Sequence, residues 1–172
     1  MEKVTSTLQE VRRRLEDQHR RIEDMLATLR AAKPADRARA YVRLRAFLAL
    51  HEEVERRLLH DATPSGGDRR DEEEGLAIAL SSLGRLDADG AEYEELADRL
   101  DEALRNHHSS EIEGLGRLAG PERAERLGEL HRLLDLVWEM ELSDLTFHAD
   151  APYEEISAAA RREVDTMLTQ LR

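Results

Sequence analysis

The chain has no cysteine, and that single absence removes disulfide scaffolds, thiolate-held zinc, iron–sulfur clusters and thiol nucleophiles. Any metal it binds must sit on nitrogen and oxygen. Aromatic residues are nearly as scarce. One Trp, three Tyr and two Phe in 172 residues are too few for a platform on which bases or sugars stack. Gly (9) and Pro (4) are sparse and gathered at a few points, and the β-branched runs that strands require are missing. No stretch approaches the roughly 18 consecutive apolar residues of a membrane span. The opening Met1-Glu2-Lys3-Val4-Thr5 lacks the apolar core of a secretory signal. A soluble, cytoplasmic protein with no membrane partner is expected. Positive charge is also in deficit, with 26 Lys and Arg against 38 Asp and Glu, a formal charge of −12. Such a chain repels nucleic acid unless its basic residues share one face.

What the chain does contain is Leu and Ala at helical spacing, in a length that suits one compact domain. Leu8, Val11, Leu15, His19, Ile22, Leu26 and Leu29 recur every three or four residues, the signature of one buried helix face. Lys33-Pro34 ends that helix, and a second opens near Ala35-Asp36 and carries Tyr41, Leu44, Phe47, Leu48, His51, Val54, Glu55 and Leu58. Thr63-Pro64-Ser65-Gly66-Gly67 reads as a loop, followed by a third helix from Asp68 or Asp71 to Leu86. After the Asp87-Ala88-Asp89-Gly90 turn, a fourth helix carries Tyr93, Leu96, Leu100, Leu104, His107, Glu111 and Leu115 and ends near Gly120-Pro121. Two more helical stretches follow: Leu127 through Glu141 to Leu145, then Ile156 to Leu171, with a break at Ala149-Asp150-Ala151-Pro152. The fold class is all-α. Short loops favour an antiparallel up-down four-helix bundle over residues 1–120, with two C-terminal helices over 121–172 packed on or beside it.

The informative feature is where polar residues interrupt these stripes. His19 occupies a core position, and His51/Glu55 and His107/Glu111 are two His-x-x-x-Glu pairs on the second and fourth helices. Residues four apart lie one turn above each other, so each pair presents an imidazole and a carboxylate to one point on the bundle axis. Burying five such groups without partners costs several kcal/mol each, roughly, so they are mutually satisfied or they bind a metal. A single core histidine is ordinarily just hydrogen-bonded, and one His-x-x-x-Glu on a charged helix arises by chance. Two pairs in register with their stripes, joined by a third core histidine, favour the metal. His108 is the rival to His107. It lies about 100° further round the helix and has Ile112 at the fourth position on, so His107 is preferred. His60, His131 and His148 have no comparable partners and read as solvated or structural.

This pattern resembles the hemerythrin family, in particular the bacterial His-His-Glu cation-binding domains. The matching residues are Asp17-Gln18-His19-Arg20, His51-Glu52-Glu53-Val54-Glu55 and His107-His108-Ser109-Ser110-Glu111. The resemblance covers about residues 5 to 120, and residues 121–172 look like the C-terminal extension of actinobacterial members. It implies a non-haem di-iron centre, with Glu55 and Glu111 as bridging carboxylates, His19 and His51 on one iron and His107 on the other. The family's third-helix histidine has no counterpart between His60 and His107. Matching the family's hydrophobic spacing puts Glu73 there, with Glu72 and Glu74 one slip away and Ala77 where a further ligand often stands. A charge run at a helix start is also what the helix dipole favours in solvent. With Glu73 the set becomes His19, His51, Glu55, Glu73, His107 and Glu111, richer in carboxylate than an oxygen carrier, which stabilises the ferric state.

The resemblance implies a protein that binds, senses or reduces O2, NO or peroxide, with iron as cofactor; a single iron or manganese is the lesser form. A di-iron oxygenase acting on a small organic substrate is the alternative, and it needs an apolar pocket of several hundred Å3, roughly. The third helix offers small residues, Ala77, Ala79, Ser81 and Ser82, that make such room. A metal-free helical interaction module is the third reading, with Trp138, Met140 and Leu142 as a possible dimer face. Monomer and homodimer both remain open.

Overall fold

The computed structural model describes residues 2–58, 66–118, 120, 123–140 and 151–171. Within them the chain is helical throughout, in the order α1 (Glu2–Ala31), α2 (Pro34–Leu58), α3 (Gly66–Leu83), α4 (Ala91–Gly114), one 3-10 segment (Leu115–Leu118), α5 (Ala124–Glu139) and α6 (Tyr153–Gln170). Among the described residues there is no strand, and no helix is long and apolar enough to cross a membrane.

The helix ends follow from local chemistry. Pro34 is the first residue of α2 rather than its outer boundary, because proline at that position sacrifices an N–H that has no intrahelical partner anyway. α3 begins at Gly66, inside the expected loop, and ends at Leu83, short of the expected Leu86. There the hydrogen bonds tighten to Ser82–Arg85 and Leu83–Leu86 turns. Gly84 lies against Tyr41, whose ring and hydroxyl a Cβ at this position would strike. The Asp87–Gly90 turn is closed by Gly90 N–H on the Asp87 carbonyl and by Asp89 N–H on the Asp87 carboxylate, a side-chain turn that Asp favours. α4 gives way to the 3-10 segment at Leu115, earlier than the expected Gly120-Pro121. α5 stops at Glu139, and its expected continuation through Glu141 and Leu145 lies outside the described residues, as do His60, His148 and Thr63-Pro64-Ser65.

Helix α1 packs against α2, α4 and α5, α3 against α4, and α6 against α2, α3 and α5. One hydrophobic cluster runs through all six helices, from Val11, Leu15 and Ile22 on α1 to Leu127, Leu130, Leu134 and Val137 on α5 and Ile156 and Val164 on α6. The C-terminal pair is also tied in by polar bonds. Gln18 Nε2 donates to the Leu134 carbonyl (2.9 Å), Arg21 to that of Trp138 (3.0 Å) and buried Arg45 to that of Ala151 (2.7 Å). A buried carbonyl left without such a donor would cost about 1–3 kcal/mol. α5 and α6 are therefore part of the wall around α1 and α2.

Candidate metal centre

Eleven described polar or charged side chains are buried, and nine of them gather on facing stretches of α1, α2, α3 and α4: Gln18, His19, His51, Glu52, Glu55, Glu73, His107, His108 and Glu111. Their concentration within a Leu-rich core is the first sign of a site, because each must be satisfied where water does not reach.

Glu111 is the hub. Its Oε2 lies 3.1 Å from His19 Nε2 and 3.8 Å from His51 Nε2, while its Oε1 lies 2.7 Å from His107 Nε2. Glu55 Oε1 approaches His51 Nε2 at 3.3 Å and His19 Nε2 at 3.9 Å. His19, His51, Glu55 and Glu111 thus each offer one donor atom within 4.8 Å of the others, and His19, His51 and His108 form a second such group. The two oxygens of Glu111 face different imidazoles, so one carboxylate is turned toward two adjoining donor sets.

Outer contacts aim these donors. Gln18 gives its amide N–H to Leu134, which leaves its carbonyl oxygen for His51 Nδ1 at 2.9 Å. His51 Nδ1 must therefore carry the hydrogen, and Nε2 keeps its lone pair for the cluster. A ligand histidine braced through its other nitrogen is the usual arrangement in metal proteins. His107 is braced by a carboxylate instead, with Nδ1 3.4 Å from Glu72 Oε2, on a side chain more than half exposed.

The electrostatics divide the same way. Burial, with His19 and His107 as like-charged neighbours, outweighs contact with Glu111 and lowers the His51 pKa, so this ring is neutral near pH 7. For His107 burial also pulls down, but Glu111, Glu72 and Glu52 prevail and raise it to about 9. Burial would push Glu111 up, yet contacts with Glu55, His107, His19 and His51 hold it well below the ordinary range. Glu52 is raised to about 8 by burial and by the charge of Glu73, and its Oε2 accepts a hydrogen bond from the Tyr153 hydroxyl (3.3 Å).

The donor set fits a metal. His19 Nε2, His51 Nε2, His107 Nε2, both ring nitrogens of His108 and both oxygens of Glu111 are buried without a hydrogen-bond partner of proper direction. Imidazole and carboxylate without sulfur suit iron, manganese or zinc. A cation among His19, His51, Glu55 and Glu111 would meet one donor atom from each of these four residues.

Of the six residues read from sequence, His19, His51, Glu55 and Glu111 come together directly, and His107 joins them through Glu111. Glu73 is buried and inward-facing, 3.7 Å from Arg56, but lies outside the two groups of mutually close donors found among the described residues. His108, set aside in favour of His107, is buried and stacked on His19, the ring centroids 3.8 Å apart and the planes within 3°. Burial and the neighbouring His19 and His51 drive its pKa down to about 2. The preference for His107 rests on the offset of about 100° and on Ile112 four positions on, and neither excludes His108 from a broad buried stripe. His108 is also four residues after Leu104 and three before Glu111, hence on the same broad stripe. Gln18 and Glu52 were passed over as well, and nothing in their spacing separates them from solvated neighbours. Glu53, by contrast, is buried but engaged by Arg56 and Arg57, and His131 lies on α5 beside Asp135.

An apolar cleft of about 470 Å3 between α3 and α4 ends at His107, walled by Leu76, Ala79, Leu96, Leu100 and Ala103. Comparison of the chain with models of known protein families, with curated proteins and with solved structures gives no match in any of the three.

Proposed function

We propose that the protein is a hemerythrin-like non-haem iron protein, with α1 to α4 as an antiparallel up-down bundle, that binds, senses or reduces O2, NO or peroxide at the centre around Glu111. The observation that carries this reading is the division of Glu111, one oxygen toward His19 and His51 and the other toward His107. A carboxylate so placed is suited to link two cations, as in di-iron bundle proteins. His19, His51 and Glu55, with His108 alongside, would hold one ion, and His107 with the second oxygen of Glu111 the other. Iron bound there would supply reversible binding or electron transfer to a small oxidant. The chain supplies the rest: Gln18 fixes the His51 tautomer, the Leu-rich shell excludes water, and Glu111 is kept ionised so that it is ready to ligate.

The test is iron loading of the purified protein under anaerobic conditions, metal quantitation, then addition of O2, NO and peroxide while absorption is followed. About two irons per chain and a new visible band with one of the three gases or oxidants are expected. Less than about half an ion per chain overturns the reading.

A second reading, a di-iron oxygenase of a small organic substrate, draws on the α3–α4 cleft. Its volume of about 470 Å3 and its apolar walls against His107 lie in the range of small-molecule sites. Filling it with Ala103→Phe separates the two. O2 consumption in the absence of any organic substrate should survive the change if the first reading holds, and organic-substrate turnover should be lost if the second does.

A further inference from the structure

All three tyrosines of the chain, Tyr41, Tyr93 and Tyr153, line one cavity of about 610 Å3 where the α1 and α3 ends meet the starts of α2, α4 and α6, and it touches the metal centre through the Tyr153–Glu52 hydrogen bond. In a sequence with only six aromatic residues such convergence needs a cause. Arg37, Arg45 and Arg85 line the same cavity, against Glu154 as the one carboxylate among the described lining residues. A chain of net charge −12 has thus gathered guanidinium groups around an aromatic-walled space.

Two polar atoms here lack partners, although Arg37 Nη2 itself donates to the Ala32 carbonyl (3.1 Å). The Tyr93 hydroxyl is buried without a hydrogen bond, on a side chain only 3% exposed, and the buried Arg37 Nε has none either. They lie close enough that the Arg37 charge counteracts the upward push of burial on the Tyr93 phenol. Leaving a buried donor unmade costs about 1–3 kcal/mol, so the pair is better explained by an acceptor that arrives from outside. The remaining groups form the frame. Arg45 is anchored on the Ala151 carbonyl and lies over the Tyr41 ring (5.2 Å), and the Tyr41 hydroxyl is anchored on the Leu80 carbonyl (2.9 Å). Gly84 admits that ring where any side chain would collide with it. Arg85, just past the end of α3, is exposed and lines the cavity with no ion pair among the described residues.

We propose that this cavity is a binding site for a small organic anion, a carboxylate or phosphate on a flat apolar body, held by Arg37, Arg85 and the Tyr93 hydroxyl between tyrosine rings. The guanidinium fork matches carboxylate and phosphate oxygens, and both Arg and Tyr stack on flat groups. The volume suits a small molecule rather than a lone ion. The site does not depend on the metal reading and is separate from the α3–α4 cleft.

Every tyrosine lines the cavity, so protein labelled with ring-13C tyrosine reports on it; Tyr41 and Tyr93 are the primary signals because Tyr153 also touches Glu52 of the metal centre, and Trp138 on α5 serves as the remote control. The probes are benzoate, phenyl phosphate, inorganic phosphate and neutral benzyl alcohol, titrated by NMR. Saturable shifts of all three tyrosine signals with benzoate or phenyl phosphate are expected, with Trp138 unmoved, and the tighter of the two distinguishes carboxylate from phosphate. Arg85→Ala, at an exposed position, and Tyr93→Phe, which keeps the ring, should each weaken that binding about tenfold without lowering the melting temperature. Absence of saturable shifts with both aromatic anions overturns the proposal. So does equal affinity for benzyl alcohol, a response to inorganic phosphate alone, or unchanged affinity in both variants.

Discussion

The two sides of Glu111 are built differently. Toward its Oε2 stand His19 and His51, with Glu55 and the stacked His108 beside them, all buried, and the His51 ring is aimed by a buried amide. Toward its Oε1 stands His107, held charged to about 9 and propped by Glu72, whose side chain is half in solvent. On the first side burial keeps the His51 and His108 rings neutral near pH 7, and His51 is braced by Gln18. The second is richer in carboxylate, with Glu52 and Glu73 near, and opens to the α3–α4 cleft. Rigid, pre-aimed donors hold a metal without reorganisation, whereas an open side is where a small molecule reaches it. On the proposed reading, the asymmetry would make one side of the centre the tight position and the other the exchangeable one.

The largest effect is expected at the shared group. Glu111→Ala removes the one carboxylate common to both sides, and metal content should fall to near zero; retention of one full ion per chain would mean the sides are independent. Next is His51→Ala, which should empty the braced side, lower affinity there at least about a hundredfold and spare the His107 side. Isothermal titration with Fe(II), or with Mn(II) in place of iron, resolves the two steps. Gln18→Leu keeps every ligand but frees the His51 tautomer. A loss of about 10–100-fold confined to the tighter step is expected, and equal weakening of both steps would erase the proposed difference in bracing.

Proton counts sharpen the comparison further. His51 is already neutral near pH 7, whereas a cation at His107 Nε2 must displace a proton held to about 9. Binding at the second side should therefore release a proton and strengthen as pH rises toward 9, measurable by calorimetry in buffers of different ionisation enthalpy. The metal-free protein should respond in the opposite sense. A His pKa raised in the folded state stabilises fully below about 6.5 and loses that contribution as pH rises through 9, so this interaction weakens the apo fold in alkaline solution. The smallest effect is expected from Glu72→Gln. Its carboxylate is half exposed and solvent-screened, and only a modest downward move of the His107 titration should follow.

Much of the centre was legible because its residues repeat a local rule. His51/Glu55 and His107/Glu111 stand one helical turn apart inside apolar stripes, and His19 replaces a leucine in another, so periodicity alone puts them inside. Glu73 was reached by matching the spacing of the family the chain resembles; it is buried, but lies outside the two groups of close donors among the described residues. What sequence could not separate was decided between helices. Glu52 and Glu53 are adjacent and chemically identical, yet one reaches the His107 side while arginines take the other. His108 joins His19 because the α4 stripe is broad enough to carry two adjacent histidines inward. Tyr41, Tyr93 and Tyr153 are far apart in the chain, and only the packing of α2, α4 and α6 unites them.

The Gln18–Leu134 hydrogen bond also sets an order of events during synthesis. All of the proposed ligands lie before residue 112, yet the carbonyl that aims Gln18, and through it His51, comes from α5. A nascent chain that has exposed only its first four helices already holds the donors but not the contact that selects the His51 tautomer. If the centre binds metal as proposed, a cation captured at that stage would meet a site whose His51 tautomer is not yet fixed.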